Sequence, residues 1–343
     1  MHMADALISP VVGGTMWAAA AGALALCSGR LKRNLDERRI PLMGVLGAFV
    51  FAAQMINFTI PGTGSSGHLG GGMLLAVLLG PAAGFVTMAS VLTVQALFFA
   101  DGGLLALGGN IINLGAVTCF LAYPLLFRPL AGKNPGRLRL SLACLVAAVF
   151  GLQLGSFGVV AETALSGVAD LPFFSFLLLM QPIHLLIGLV EGLVTAALVG
   201  FLRRVRPDAL VWNSTAAVQD GRCGRPVLVP LLVAALLCGG LLSGFASTRP
   251  DGLEWALEKA SGRAASAGPQ ATSSPSVFAA LQTQTALLPG YDFPQRVAPG
   301  SAGEQPAPHV GTSLSGLLGG LLTLLLIVLG GGLTRWWQRL GRC

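Results

Sequence analysis

Long apolar runs separated by short polar loops make up most of the chain, which is the pattern of a helical membrane protein. The third run is shorter than the ~20 residues that a full span requires. We therefore expect it to be tilted, to lean on its neighbour or to be partly re-entrant. The runs cover residues 11–28, 41–60, 70–82, 84–100, 105–127, 140–162, 178–202, 226–246 and 313–333.

Basic residues mark every second loop between these runs, so the positive-inside rule gives an orientation. If the amino terminus lies outside, 17 of the 21 Lys and Arg residues face the cytoplasm. Omitting the third run would invert every later loop and spoil this agreement. We predict a multi-pass protein of the cell (inner) membrane with an extracytoplasmic amino terminus and a cytoplasmic carboxyl terminus. The cytoplasmic basic residues would be Arg30, Lys32, Arg33, Arg38, Arg39, Arg128, Lys133, Arg137, Arg139, Arg203, Arg204, Arg206, Arg222, Arg225, Arg335, Arg339 and Arg342.

The predicted fold is an all-α integral membrane protein with two parts. Residues 1–206 form a polytopic helical bundle of about seven spans, and residues 225–343 form a hairpin of two spans. Between them, residues 207–224 are predicted to be a cytoplasmic linker. Within the hairpin, residues 247–312 are rich in Ala, Ser, Pro, Gly and Gln. They are predicted to be an extracytoplasmic and partly disordered segment.

Composition supports a bilayer environment, with membrane lipid as the surrounding partner. Hydrophobic residues make up 54% and charged residues only 10%, whereas soluble domains carry about 25% charged residues. The net charge of +7 is spread over short loops rather than one face, so we expect no nucleic-acid partner. A signal peptide would place positive charges early, yet the first basic residue is Arg30. We therefore expect Met1 to be the mature amino terminus.

The first two residues, Met1 and His2, can chelate a transition metal in a way that an interior histidine cannot. The free α-amine, the His2 amide nitrogen after loss of its proton, and the imidazole Nδ1 form fused rings in one plane. Nickel(II) favours square-planar nitrogen coordination, and His68 is the obvious fourth donor. The glycine-rich loop that carries His68, PGTGSSGHLGGG, lies on the same predicted side of the membrane as the amino terminus. On spacing alone, the favoured interpretation is that His2 is a disordered terminal residue and His68 an interfacial histidine.

Polar side chains inside apolar runs are costly in a bilayer unless they are paired or functional. In the functional interpretation they orient the metal-binding histidine or the terminal strand. In the alternative they form hydrogen bonds between helices. We favour the alternative for His184 and Glu191. The candidates for the functional role are Ser66, Gln95, Asn110 and Asn113.

Four motifs occur in a recognisable order: MHMADALISP, GTGSSGHLGGG, LTVQALFFADGGLLALGGNIINLG and HLLIGLVEG. They resemble the CbiM/NikM family, the substrate-specific components of energy-coupling factor (ECF) transporters for cobalt and nickel. PDGLEWALEK, from Pro250 to Lys259, resembles the signature of the small CbiN/NikN companion protein, here fused at the carboxyl end. The resemblance implies a metal held by the terminal amine, the His2 amide and ring nitrogens, and His68. After His2 the family usually reads Ile, an acidic residue, Gly and an aromatic residue, so packing around the ligands departs from the family.

The resemblance also implies partners, because no G-x-x-x-x-G-K-[ST] phosphate-binding loop occurs in this chain. We expect a non-catalytic subunit without bound ATP, a CbiQ/NikQ-like transmembrane coupling (T) subunit and CbiO/NikO-like ATPase subunits. The transported substrate would be nickel(II) or cobalt(II), and affinity order alone does not choose between them.

Two other classes of function stay open. Gly64–Gly67 fits the G-x-S-G pattern of rhomboid-like intramembrane serine proteases, with Ser66 as nucleophile and His184 as base. Such a short pattern in a glycine-rich loop arises easily by chance. A proton-coupled secondary metal transporter would instead use Glu162 or Glu191. The protease hypothesis predicts that Ser66→Ala abolishes function while His2→Ala does not, and the metal hypothesis predicts the reverse.

Overall fold

The computed structural model describes residues 1–34, 39–205, 225–262, 277–293 and 310–340. The predicted linker at 207–224 lies outside the described residues, as do residues 263–276 and 294–309 of the predicted extracytoplasmic segment. The basic residues Arg38, Arg206, Arg222 and Arg342 also lie outside them.

The described chain is almost entirely helical. A single pair of two-residue strands, β1 (Phe58–Thr59) and β2 (Ser66–Gly67), is antiparallel. Most of helix α5, Ile111–Phe127, is wound as a π-helix. The helices are α1 (Pro10–Asn34), α2 (Ile40–Gln54), α3 (Gly72–Leu79), α4 (Pro81–Phe99), α5 (Leu107–Ala131), α6 (Arg137–Ser166), α7 (Phe173–Val205), α8 (Arg225–Gly240), α9 (Gly252–Ser261), α10 (Val277–Thr285) and α11 (Val310–Leu340).

Seven of the described helices are long and apolar enough to cross a membrane, which confirms the predicted all-α membrane fold. They are α1, α4, α5, α6, α7, α8 and α11. Helix α2 is apolar but has only 15 residues.

The short third apolar run forms α3, whose eight residues rise only ~12 Å. Every residue of α3 is buried, and the helix packs against α4, which follows it after a turn at Gly80. Helix α3 therefore enters the bundle and leans on its neighbour without reaching the length of a full span.

Two groups of basic residues meet at one end of the bundle. Arg203 at the end of α7 donates to the Pro135 carbonyl oxygen, and Arg139 donates to the Leu130 carbonyl oxygen at 2.6 Å. Helix α5 connects this end with the chain's amino terminus, which contacts Asn110 near the start of α5. Helix α5 is long enough to cross a membrane, so the basic groups and the amino terminus lie at opposite ends.

The carboxyl-terminal helices α8 and α11 pack against each other and against α2 through small residues. A Cβ atom at Gly316 would lie 2.6 Å from the Gly239 carbonyl oxygen, so only glycine permits this close approach. The described part of the chain between the two helices contacts the end of α4 and the turn that follows it, where Gln282 of α10 donates to the carbonyl oxygens of Ala96 and Gly102.

Candidate metal centre

The amino terminus is folded into the protein rather than exposed. Met1 is 5% exposed and Met3 is fully buried. Asn110 binds the Met3 backbone on both sides: its Oδ1 accepts from the Met3 amide at 2.9 Å, and its Nδ2 donates to the Met3 carbonyl at 3.2 Å. The Gly103 amide donates to the same carbonyl at 2.9 Å. These bonds hold the terminal segment inside the protein.

Glycine at position 103 makes this arrangement possible. A Cβ atom there would lie 1.8 Å from Oδ1 of Asp5, the oxygen that accepts a hydrogen bond from the Ala106 amide. Any larger residue would displace the terminal strand. The ADGGLLALGGN motif thus forms the surface against which the amino terminus lies.

The structure brings His2 and His68 together, although they are far apart in sequence. Their imidazole rings are stacked with centroids 5.1 Å apart and planes 8° from parallel. His68 Nδ1 lies 3.1 Å from the Leu69 carbonyl oxygen, so Nδ1 carries the proton and Nε2 has the lone pair. This arrangement, with one ring nitrogen bound to a carbonyl, is typical of metal-binding histidines.

Two carboxylates lie next to the His2 ring and the terminal amine. His2 Nδ1 lies 3.2 Å from Asp101 Oδ2, and the Met1 amine lies 3.7 Å from Asp251 Oδ2. Tyr291, from the carboxyl-terminal hairpin, donates its hydroxyl hydrogen to Asp101. Asp101 lies in the turn after α4, and it contacts His2 because the terminal segment passes over this turn.

Burial keeps both imidazoles neutral near pH 7. Desolvation, followed by the nearby terminal ammonium, lowers the pKa of His2 to about 3. Desolvation, the ammonium and His2 lower the pKa of His68 to about 4. Burial acts to raise the pKa of Asp251, but the ammonium and the Glu254 amide outweigh it and leave this pKa below its usual value. The centre therefore combines two neutral nitrogen donors with a charged carboxylate.

A continuous hydrogen-bond network holds the loop that carries His68. The Gly70 amide donates to Glu191 Oε2 at 2.7 Å, and the amides of Gly71 and Met73 face the same carboxylate. Gln54 donates to the Gly70 carbonyl at 2.7 Å and accepts from Gln95 at 2.6 Å. Since Gln95 lies beside His2, the network joins both histidine-bearing segments. Sequence reasoning missed Gln54, whose only signal was a polar residue inside the apolar run 41–60.

The PDGLE motif at Pro250–Glu254 closes the centre from the carboxyl-terminal hairpin, and each of its residues has a contact. The Pro250 carbonyl accepts from the Ser66 amide at 2.8 Å and from its hydroxyl at 3.2 Å. Asp251 and Glu254 form a capping box that starts α9. A Cβ atom at Gly252 would lie 2.6 Å from Ile183 Cγ2, and Leu253 is buried in a cluster with Met3.

A cavity of about 480 Å³ connects these groups. It is lined by both histidines and by three carboxylates, which are Asp101, Asp251 and Glu254. Within the described ranges, no three side chains of His, Cys, Asp or Glu come together as a metal site.

Two of the sequence candidates form hydrogen bonds with groups other than the two histidines. Asn113 donates to Glu162 at 2.9 Å, so its amide group bonds α5 to α6. The hydroxyl of Ser66 donates to the Arg249 and Pro250 carbonyl oxygens, so it is directed at the PDGLE segment. The described contacts of Ser66 and His184 include no hydrogen bond between the two.

Asp251→Asn is expected to speed acylation of the terminal amine by a water-soluble reagent several-fold. The amide still caps α9, but the charge that holds the ammonium is gone. Glu258→Gln, on the same helix, is the matched control and should leave the rate unchanged. Labelling followed by mass spectrometry of the amino-terminal peptide measures both rates. Equal rates in the two variants would show that Asp251 does not protect the amine.

Comparison with known proteins identifies relatives over nearly the whole chain. Residues 2–209 match the family model described as cobalt uptake substrate-specific transmembrane region, and residues 225–335 match the PDGLE domain. The fused nickel transport protein NikMN of Rhodobacter capsulatus is 32% identical, with 99% of this chain and 100% of that protein covered. The cobalt transport protein CbiM of Geobacter sulfurreducens is 30% identical, with 71% and 72% covered.

A solved structure is also similar. The crystal structure of a truncated transition metal transporter has a TM-score of 0.52 and 28% identity, over 60% of this chain and 99% of that one. These relatives are transporters, which argues against the serine protease interpretation. The chain therefore belongs to the family of cobalt uptake substrate-specific transmembrane regions, with a PDGLE domain at its carboxyl end, and is a multi-pass membrane transport protein rather than an enzyme.

Proposed function

We propose that this chain is the substrate-binding membrane subunit of an ATP-driven ECF importer for nickel or cobalt ions. The metal is held by the Met1 amine, the amide and imidazole nitrogens of His2, and His68. The burial of the amino terminus beside His68, with the two imidazoles stacked at 5.1 Å, carries the proposal. The residues on which it depends are 66 positions apart in sequence, and the fold juxtaposes them.

The chemistry follows from the four nitrogens. Loss of the His2 amide proton leaves a divalent complex with a charge near +1, which lowers the cost of placing it close to the bilayer. Chelation through His2 Nδ1 requires that the ring turn away from Asp101, which it contacts at 3.2 Å. Both imidazoles are already neutral, so only the amine and the amide must release protons. Affinity should accordingly fall as the pH falls.

The orientation and the partners complete the proposal. The amino terminus faces the extracytoplasmic side, which is supported by the basic residues at the opposite end of the bundle. That basic end would meet a CbiQ/NikQ-like coupling subunit and CbiO/NikO-like ATPases. We propose that residues 1–206 and 225–343 are two fused modules, and the separate family matches support this division.

Substitutions of single side chains test the proposal. His2→Ala and His68→Ala should each lower nickel and cobalt affinity roughly hundredfold or more, because each removes a direct ligand. Calorimetry on the purified chain with its native amino terminus measures this, and metal uptake in cells measures the consequence. His309→Ala is the matched control, since it removes a histidine far from these residues in sequence. Loss of function in Ser66→Ala with normal binding in His2→Ala would contradict the proposal.

A further inference from the structure

His184 is a buried histidine of α7 with one nitrogen that the described contacts leave unused. Its Nδ1 lies 2.8 Å from the Met180 carbonyl oxygen in the preceding turn. A carbonyl oxygen only accepts, so Nδ1 carries the proton and Nε2 has the lone pair. Nε2 is buried and has no partner among the described residues. A buried acceptor without a partner is uncommon and needs a physical explanation.

A small cavity next to the His184 ring has room for a hydrogen-bond partner of Nε2. Its volume is about 10 Å³, which is close to the lower limit for one water molecule. Two of its walls are Met1 and His68, the residues of the proposed chelate, and the others include His184 and Asp251. A water molecule there has two acceptors, the His184 Nε2 lone pair and the Asp251 carboxylate. If it donates to both, its own lone pair is directed to whatever Met1 and His68 bind.

We infer that His184 sets the metal preference by holding, together with Asp251, a water molecule that serves as an additional ligand of the bound metal. The inference rests on the proposed chelate at Met1, His2 and His68. Four nitrogens in one plane satisfy nickel(II), which gains little from a further ligand. Cobalt(II) has no such preference for four planar donors and gains from an extra oxygen ligand. His184 is therefore a positioning residue that favours cobalt without being required for nickel.

Two substitutions separate this role from a structural one. In His184→Asn, the amide NH2 group replaces Nδ1–H and still bonds to the Met180 carbonyl, but the acceptor at Nε2 is gone. In His184→Gln, the amide oxygen takes the position of Nε2 and can accept from the water. We expect His184→Asn to lower cobalt affinity about tenfold and to leave nickel affinity within about twofold. His184→Gln should retain most of the cobalt affinity.

Calorimetry with cobalt(II) and nickel(II) on the full chain with its native amino terminus measures both affinities. The visible spectrum of bound cobalt should change in His184→Asn, because the coordination number falls, and should stay unchanged in His184→Gln. Equal losses for both metals, no loss for either, or identical behaviour of the two variants would overturn the inference. If the unsubstituted chain binds neither metal, the proposed function fails instead, which is a distinguishable result.

Discussion

One residue added ahead of Met1 is expected to lower nickel affinity at least about a thousandfold, which corresponds to roughly 4 kcal/mol. The addition converts the terminal amine into an amide and moves the free amine by up to ~3.6 Å. Both changes destroy the fused chelate rings. The site has little room to adapt, because Met1 is 5% exposed and Asn110 fixes the backbone of Met3. Acetylation of the amine should have a similar effect.

Calorimetry with nickel(II) on the native and extended chains measures this loss. Removing the added residue with a protease should restore the native affinity in the same sample. One residue added after Cys343 is the matched control and should have no effect. Equal affinity in the native and extended chains would rule out the terminal chelate, whatever the behaviour of His68→Ala.

Glu191→Leu is expected to destabilise the protein by about 1–3 kcal/mol and to lower metal affinity by a factor of ten or more. The carboxylate accepts from the Gly70 amide at 2.7 Å and faces the amides of Gly71 and Met73, and a buried amide left without an acceptor costs about 1–3 kcal/mol. The loop that carries His68 would then lose its position two residues from the proposed ligand. Glu191→Gln should lower stability and metal affinity less than Glu191→Leu does, because its amide oxygen can still accept a hydrogen bond from the Gly70 amide.

Thermal unfolding in detergent and nickel calorimetry measure the two effects separately. Asp170→Asn removes a carboxylate at an exposed position and should change neither quantity. If Glu191→Leu has an unchanged unfolding temperature but binds metal weakly, the carboxylate fixes the position of the loop without contributing to global stability. Unchanged stability and unchanged affinity together would mean that the amides find other acceptors and that Glu191 does not hold the loop.

The candidate site was only partly accessible to reasoning from the sequence. Met1, His2 and His68 could be named because a histidine at position two has a particular chelating chemistry, and a loop histidine of the same predicted side could complete it. Gln54 and Asp101 could not be named, since nothing local distinguishes them from a helix end and a turn. They contact the site because α2, α4 and the terminal strand meet there.

The PDGLE motif shows the same limit. Its sequence indicates a helix start, and Asp251 and Glu254 do form the capping box of α9. Its contacts with Ser66, Ile183 and the terminal amine depend on how α8 and α11 pack against α2. That packing relies on the close approach of Gly239 and Gly316, which are 77 positions apart in the chain.

Apolar runs were sufficient to specify a helical membrane protein, because this depends on local hydropathy and on the bilayer itself; the direction that the flanking charges give to each run stays a prediction. The length of the third run likewise predicted a tilted, leaning or partly re-entrant segment, and α3 is buried and packs against α4. The depth of the amino terminus, the pairing of Asn113 with Glu162 and the network from Glu191 to Gln95 required the folded chain. Such contacts join residues on different helices. The hydropathy pattern along the amino-acid sequence does not say which helices become neighbours.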